Sequence, residues 1–168
     1  LHGRVPKGQR VIRLASVLVV VAALSGCGDD AAACMVPLER PDPTLSLTIG
    51  SATEAWTDGQ RVPLVYGGQG GVMLLPVVRL PAGDLDELCA LVSVSNRTTV
   101  EEADPGTDRL LVFRREGDEL VSPVIEDFLG YSPSPFVDQE LTLEVTVIEQ
   151  ESAFAASGEV TVVIAPPS

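Results

Sequence analysis

From Pro43 onward the chain is a succession of short β-prone runs, each cut off by turn residues, with no long segment of helical period. Thr44-Leu45-Ser46-Leu47-Thr48-Ile49 alternates apolar and polar side chains with period two, as a half-buried strand does. Gln60 to Tyr66 is a second run, and Pro63 confines it to a sheet edge because proline has no N–H to give to a central ladder. Val72 to Leu80 is almost continuously apolar, which fits a strand covered on both faces. Pro76 inside it predicts a bulge or a change of sheet. Leu88 to Ser95 and Arg109 to Arg114 read as further strands, and Glu116-Gly117-Asp118 turns into the run Leu120 to Ile125. Leu141-Leu143-Val145-Val147 and Val160-Val162-Ile164 alternate most regularly of all and predict a hairpin around Ser157-Gly158. Gly83 to Cys89 carries the one hint of helix. Strands at this spacing predict an all-β antiparallel sandwich over residues 44–168, whose outline resembles immunoglobulin-like folds in architecture.

Residues ahead of this domain have a different character. Arg4, Lys7, Arg10 and Arg13 precede the apolar stretch Leu14 to Leu24, and small residues then lead to Cys27. A basic, then apolar, then small-residue order is the layout of a secretory signal, and the stretch is too short for a membrane-spanning helix, which takes about 20 apolar residues. Leu24-Ser25-Gly26-Cys27 resembles the lipobox of bacterial lipoproteins. The resemblance implies that residues 1–26 are a cleaved signal peptide, that Cys27 is acylated, and that residues 27–43 form the lipidated cysteine and a short tether. Each buried methylene is worth about 0.8 kcal/mol, so two or three acyl chains hold a protein at a membrane essentially permanently. Gly28 stands where Asp favours inner-membrane retention in such lipoproteins, so the resemblance implies the outer membrane ahead of the inner.

Processing at Cys27 would leave 142 residues that keep all 24 acids and lose four of the 11 cations, for a net charge of −17. Such a surface repels phosphate backbones, so no nucleic-acid partner is expected. His2 and Lys7 are the sole His and Lys, and both lie ahead of Cys27. The domain is therefore without the residues of Ser-His-Asp and Cys-His pairs, His-containing zinc sites, Schiff bases and phosphate loops. This argues against an enzyme and against any cofactor. Cys34 and Cys89, in an oxidising compartment outside the cytoplasm, most simply form a disulfide, which for a loop of this length contributes about 4 kcal/mol.

Asp84, Asp86 and Glu87, and Glu101, Glu102 and Asp104, are the densest carboxylate groups. Calcium takes several oxygen ligands, but neither group has the spacing of a helix–loop–helix calcium site, and a chain this acidic produces such runs by chance. Gly67-Gly68-Gln69-Gly70-Gly71 has no Gly-Lys-Ser/Thr after it and reads as a tight connection between strands. Together with Trp56-x-Asp58-Gly59 and the apolar run closing on Arg79, it is similar to a recurrent segment of uncharacterised secreted bacterial lipoproteins. The aromatic, His and Trp side chains usual there are replaced here by Val72, Met73, Leu74 and Leu75. Asn96-Arg97-Thr98 has the form of a glycosylation sequon and reads as a solvated turn. The expected role is a lipid-anchored envelope protein, structural or binding, with an envelope protein or glycan as partner. The alternatives are a calcium-dependent adhesion or carbohydrate-binding module and a carboxylate-only hydrolase. Converging loop carboxylates would mark the first alternative, two facing carboxylates in a cleft the second, and a convex surface poor in pockets the plain structural role.

Overall fold

The computed structural model describes residues 44–101, 103–149 and 154–167. Residues 1–43, with the expected signal and the expected lipidation and disulfide positions Cys27 and Cys34, lie outside them. Among the described residues there are twelve strands and no helix. In chain order these are β1 Leu45–Ser46, β2 Thr48–Gly50, β3 Arg61–Pro63, β4 Val65–Tyr66, β5 Val72–Leu74, β6 Val77–Pro81, β7 Glu87–Thr98, β8 Gly106–Glu116, β9 Glu119–Val121, β10 Asp127–Gly130, β11 Glu140–Glu149 and β12 Phe154–Ala165.

The larger sheet runs β1-β12-β11-β7-β8-β9-β6-β2, with β3 also pairing β12. Its centre is the antiparallel set β12, β11, β7 and β8. The two ends of that order are neighbouring pieces of one stretch of chain. β1 lies parallel to β12, and β2, starting two residues after Ser46, lies antiparallel to β6. The sheet thus curls back on itself, a barrel-like closure that leaves few bare edges. The smaller sheet, β10-β5-β4, covers the other side.

Strict alternation is what makes the layers. On β11, Leu141, Leu143, Val145 and Val147 are fully buried, and on β7, Leu88, Ala90, Val92 and Val94 face the same way. From the opposite layer come Val72, Leu74 and Leu129, and all these residues share one core cluster with Trp56, Phe113 and Phe136. The motif Trp56-x-Asp58-Gly59 anchors the β2–β3 connection to this frame. Trp56 enters the core, Asp58 Oδ1 accepts the Thr161 N–H at 2.9 Å, and the Gly59 N–H donates to the Thr161 carbonyl at 2.8 Å.

Four sequence expectations need correction. The run Val72 to Leu80 is two strands in two sheets, β5 and β6, split at Leu75-Pro76, so Pro76 marks a sheet change. Gln60 to Tyr66 divides likewise into β3 and β4, with Pro63 closing an edge strand. Gly83 to Cys89 is a turn followed by β7, because the β7 ladder claims Glu87 and Leu88. Ser157-Gly158 is not a hairpin turn. Gly158 sits within β12 opposite Val145, and a Cβ there would lie 2.7 Å from the Leu47 carbonyl oxygen. Glycine is needed at that point for the close approach of the crossing chain, a common reason for glycine inside a strand.

Candidate functional site

The smaller sheet turns Val72, Leu74 and Leu129 inward, and its other face carries Met73 with its cross-strand partners Val65 and Phe128, while Tyr66, next along β4, is exposed at the sheet's edge and lines the same hollow. Together with Arg109 and Glu126 these residues line a groove of about 670 Å³, and Gly67 and Gly71 form its rim. Tyr131 stands over it, 82% exposed, with its ring edge-on to Phe128 at a centroid separation of 5.2 Å and an angle of 70°. A second hollow of about 350 Å³, bordered by Ser132 and Phe136, also touches both Phe128 and Tyr131. The aromatic pair therefore forms a ridge shared by two hollows. The chain has seven aromatic residues, and three of them, including both tyrosines, line this one groove. Exposed tyrosine offers a large apolar body with a polar tip at little entropic cost, and binding surfaces favour it for that reason.

The glycine-rich connection serves this arrangement. Its ends are tied by the Gly67 N–H to the Gly71 carbonyl at 2.8 Å, as expected of a tight link between β4 and β5. Gly71 also makes room for the ridge, since a Cβ there would lie 2.2 Å from Phe128 Cε2. The groove itself was missed by sequence reasoning. The signal available was the glycine cluster, which permits close approach, but the side chain approaching it comes from β10.

Behind the groove lies a buried carboxyl. β10 alternates, so Phe128 lines the groove while Asp127 points inward with no solvent exposure. Asp127 Oδ1 accepts from Asn96 Nδ2 at 3.0 Å, and the same amide donates to the Asp104 carbonyl at 3.3 Å. Asn96 is thus not on a solvated turn. It sits within β7 and links that strand to β10 and the β7–β8 loop, while Arg97 beside it pairs with Glu159 on the outer face. Asp127 Oδ2 and Asn96 Oδ1 are buried without a hydrogen-bond partner among the described residues. Burial pushes the Asp127 carboxyl up to about 6; the Asn96 hydrogen bond opposes this, the Asp104 charge adds to it, and Arg109 opposes it.

The two carboxylate groups picked out by sequence do not converge. Asp84, Asp86 and Glu87 precede or open β7, and Glu101 and Asp104 follow its end, so a 12-residue strand, about 36 Å at 3.3 Å per residue, separates them. Asp86 faces Arg115 at 3.3 Å, Glu87 faces Arg114 at 3.8 Å, and Asp104 Oδ1 accepts the Gly106 N–H at 3.0 Å. Glu102 lies outside the described residues. No group of three or more metal-binding side chains occurs among the described residues. Glu126 lines the groove and Asp104 lines the adjoining hollow, on either part of the shared aromatic ridge. Cys89 is half-buried on the outward face of β7. No family model, curated protein or solved structure matches this chain.

Proposed function

We propose that this chain is a lipid-anchored cell-envelope protein with a non-enzymatic binding role, and that the aromatic groove on β4, β5 and β10 is its binding surface. The signal layout and lipobox at Cys27 support the anchor, with the outer membrane favoured by Gly28. The oxidising compartment supports a Cys34–Cys89 disulfide. Two packed, mainly antiparallel layers support an immunoglobulin-like sandwich, although β1 and β3 pair β12 in parallel and the curling of the larger sheet through β1 and β2 departs from two simple layers.

The observation that carries the binding role is the ridge of Phe128 and Tyr131 shared by two hollows, which with Tyr66 gathers three of the chain's seven aromatic residues. A ridge with hollows on both sides suits an extended ligand, and exposed ring faces flanked by Arg109, Glu126 and Gln69 suit the apolar faces and hydroxyls of a neutral glycan. Strong net negative charge argues against an anionic one. The carbohydrate-binding reading therefore stands ahead of the calcium-dependent one. Titration of neutral envelope oligosaccharides into the soluble mature chain tests it. Binding that drops at least tenfold in Tyr131→Ala is the expected result. Binding unchanged in both Tyr131→Ala and Tyr66→Ala would refute the groove as the site.

A further inference from the structure

The outward face of the larger sheet is polar along most of its length. Thr161, Thr142 and Arg97 form one cross-strand row, Glu159, Glu144 and Ser95 the next, and Ser157, Thr146 and Ser93 the third. One step further the face becomes apolar. Ala155, Ile148, Leu91 and Leu110 line up across β12, β11, β7 and β8. These side chains point away from the core cluster, yet Ala155, Ile148 and Leu91 are only 1%, 2% and 7% exposed. In the neighbouring row Ser93 Oγ is likewise shielded, without a hydrogen-bond partner among the described residues. Leu110 on β8 is exposed, so the row is shielded from β12 as far as β7 and open beyond it, and a sheet face that excludes water from three apolar side chains and a hydroxyl is a covered face.

We propose that the cover is the chain's own segment Met35 to Pro43, laid across the outer face from β12 to β7. Its downstream end arrives at the row, because the Thr44 N–H donates to the Ala155 carbonyl at 3.0 Å. Its upstream end has an anchor at the far side. Cys89 lies two residues along β7 from Leu91 on the same outward face, so the Cys34–Cys89 bridge proposed above would hold the segment there. From β1 to β7 is three strand spacings, about 14 Å, and the ten residue steps from Cys34 to Thr44 reach up to about 33 Å, so the span is met with slack. The residues nearest the bridge, Met35, Val36, Pro37 and Leu38, are apolar and match the row they would cover.

The arrangement orients the molecule. The groove's sheet and the row's sheet bury opposite faces in one core, so their outer faces look in opposite directions. A lipid on Cys27, seven residues before Cys34, would leave the domain from the covered face and turn the groove away from the membrane.

The test is a benzophenone side chain placed at Leu38, and separately at Val36, in the full mature chain, irradiated without reductant and mapped by peptide mass. Crosslinks to the peptides carrying Leu91, Ile148 or Ala155 are expected. Their absence from both variants, with the Cys34–Cys89 bridge intact by non-reducing mass mapping, overturns the docking and leaves the bridge standing. The same crosslinks with both thiols free support the docking and remove the bridge as its pin.

Discussion

Asp127→Asn is the substitution whose outcome follows most directly from the structure. The carboxyl is fully buried, only one of its oxygens is hydrogen-bonded, and burial lifts its pKa from 3.8 to about 6. The native state therefore holds the Asp127 proton more tightly than the unfolded chain. Stability from this group is greatest below about pH 4, falls as the pH rises to about 6, and is level above that. A rise of about two pH units at 1.36 kcal/mol per unit makes the loss about 3 kcal/mol. Asparagine has nearly the same shape and no charge to desolvate. Urea unfolding of both proteins at pH 4, 5, 6 and 7 isolates the effect, because the difference between them cancels every other titrating group. The stability of Asp127→Asn relative to the parent should climb by about 2.4 kcal/mol between pH 4 and pH 7, the rest of the change lying below pH 4. A difference that is constant with pH, or that moves the other way, would refute the reasoning and mean that the carboxylate has a partner or solvent path at this site.

Gly71→Ala should destabilise the domain by about 1–3 kcal/mol, since the new methyl meets the Phe128 ring and also lies 3.2 Å from the Gly130 carbonyl oxygen, whereas Gly68→Ala, with open space around it, should stay within about 0.5 kcal/mol by denaturant unfolding. Cys27→Ala should shift the protein from the detergent-rich phase to the aqueous phase or leave it as precursor; unchanged partitioning and mature mass would remove the anchor. Millimolar calcium should raise the melting temperature no more than sodium chloride at equal ionic strength, because the carboxylate groups stand at opposite ends of β7. A specific site filled at a hundred times its Kd would instead add about 2.7 kcal/mol.

Local pattern was enough to read the strand class of the domain and most of its strands. Period-two alternation is a property of a strand and its two faces, so Leu141 to Val147 and Leu88 to Val94 announce their inward side chains without any knowledge of a partner. Proline works equally locally: Pro76 cannot donate to a ladder and so predicts a bulge or a change of sheet, and the tertiary structure decides for the second. The absence of His and Lys after Lys7 likewise narrows the chemistry from composition alone. Which residues meet across the sheets was decided only in three dimensions. Gly158 looks like a turn until Leu47 is found crossing it, and Asn96 looks like a solvated turn until Asp127 is found 31 residues on in sequence and 3.0 Å away in space. The aromatic groove is the same case. Tyr66, Phe128 and Tyr131 are unremarkable where they stand in the chain, and they become one surface because β10 pairs with β5 and β5 with β4. Strand pairing at long range is set by which faces can be buried together, and that is a property of the whole core rather than of any segment in it.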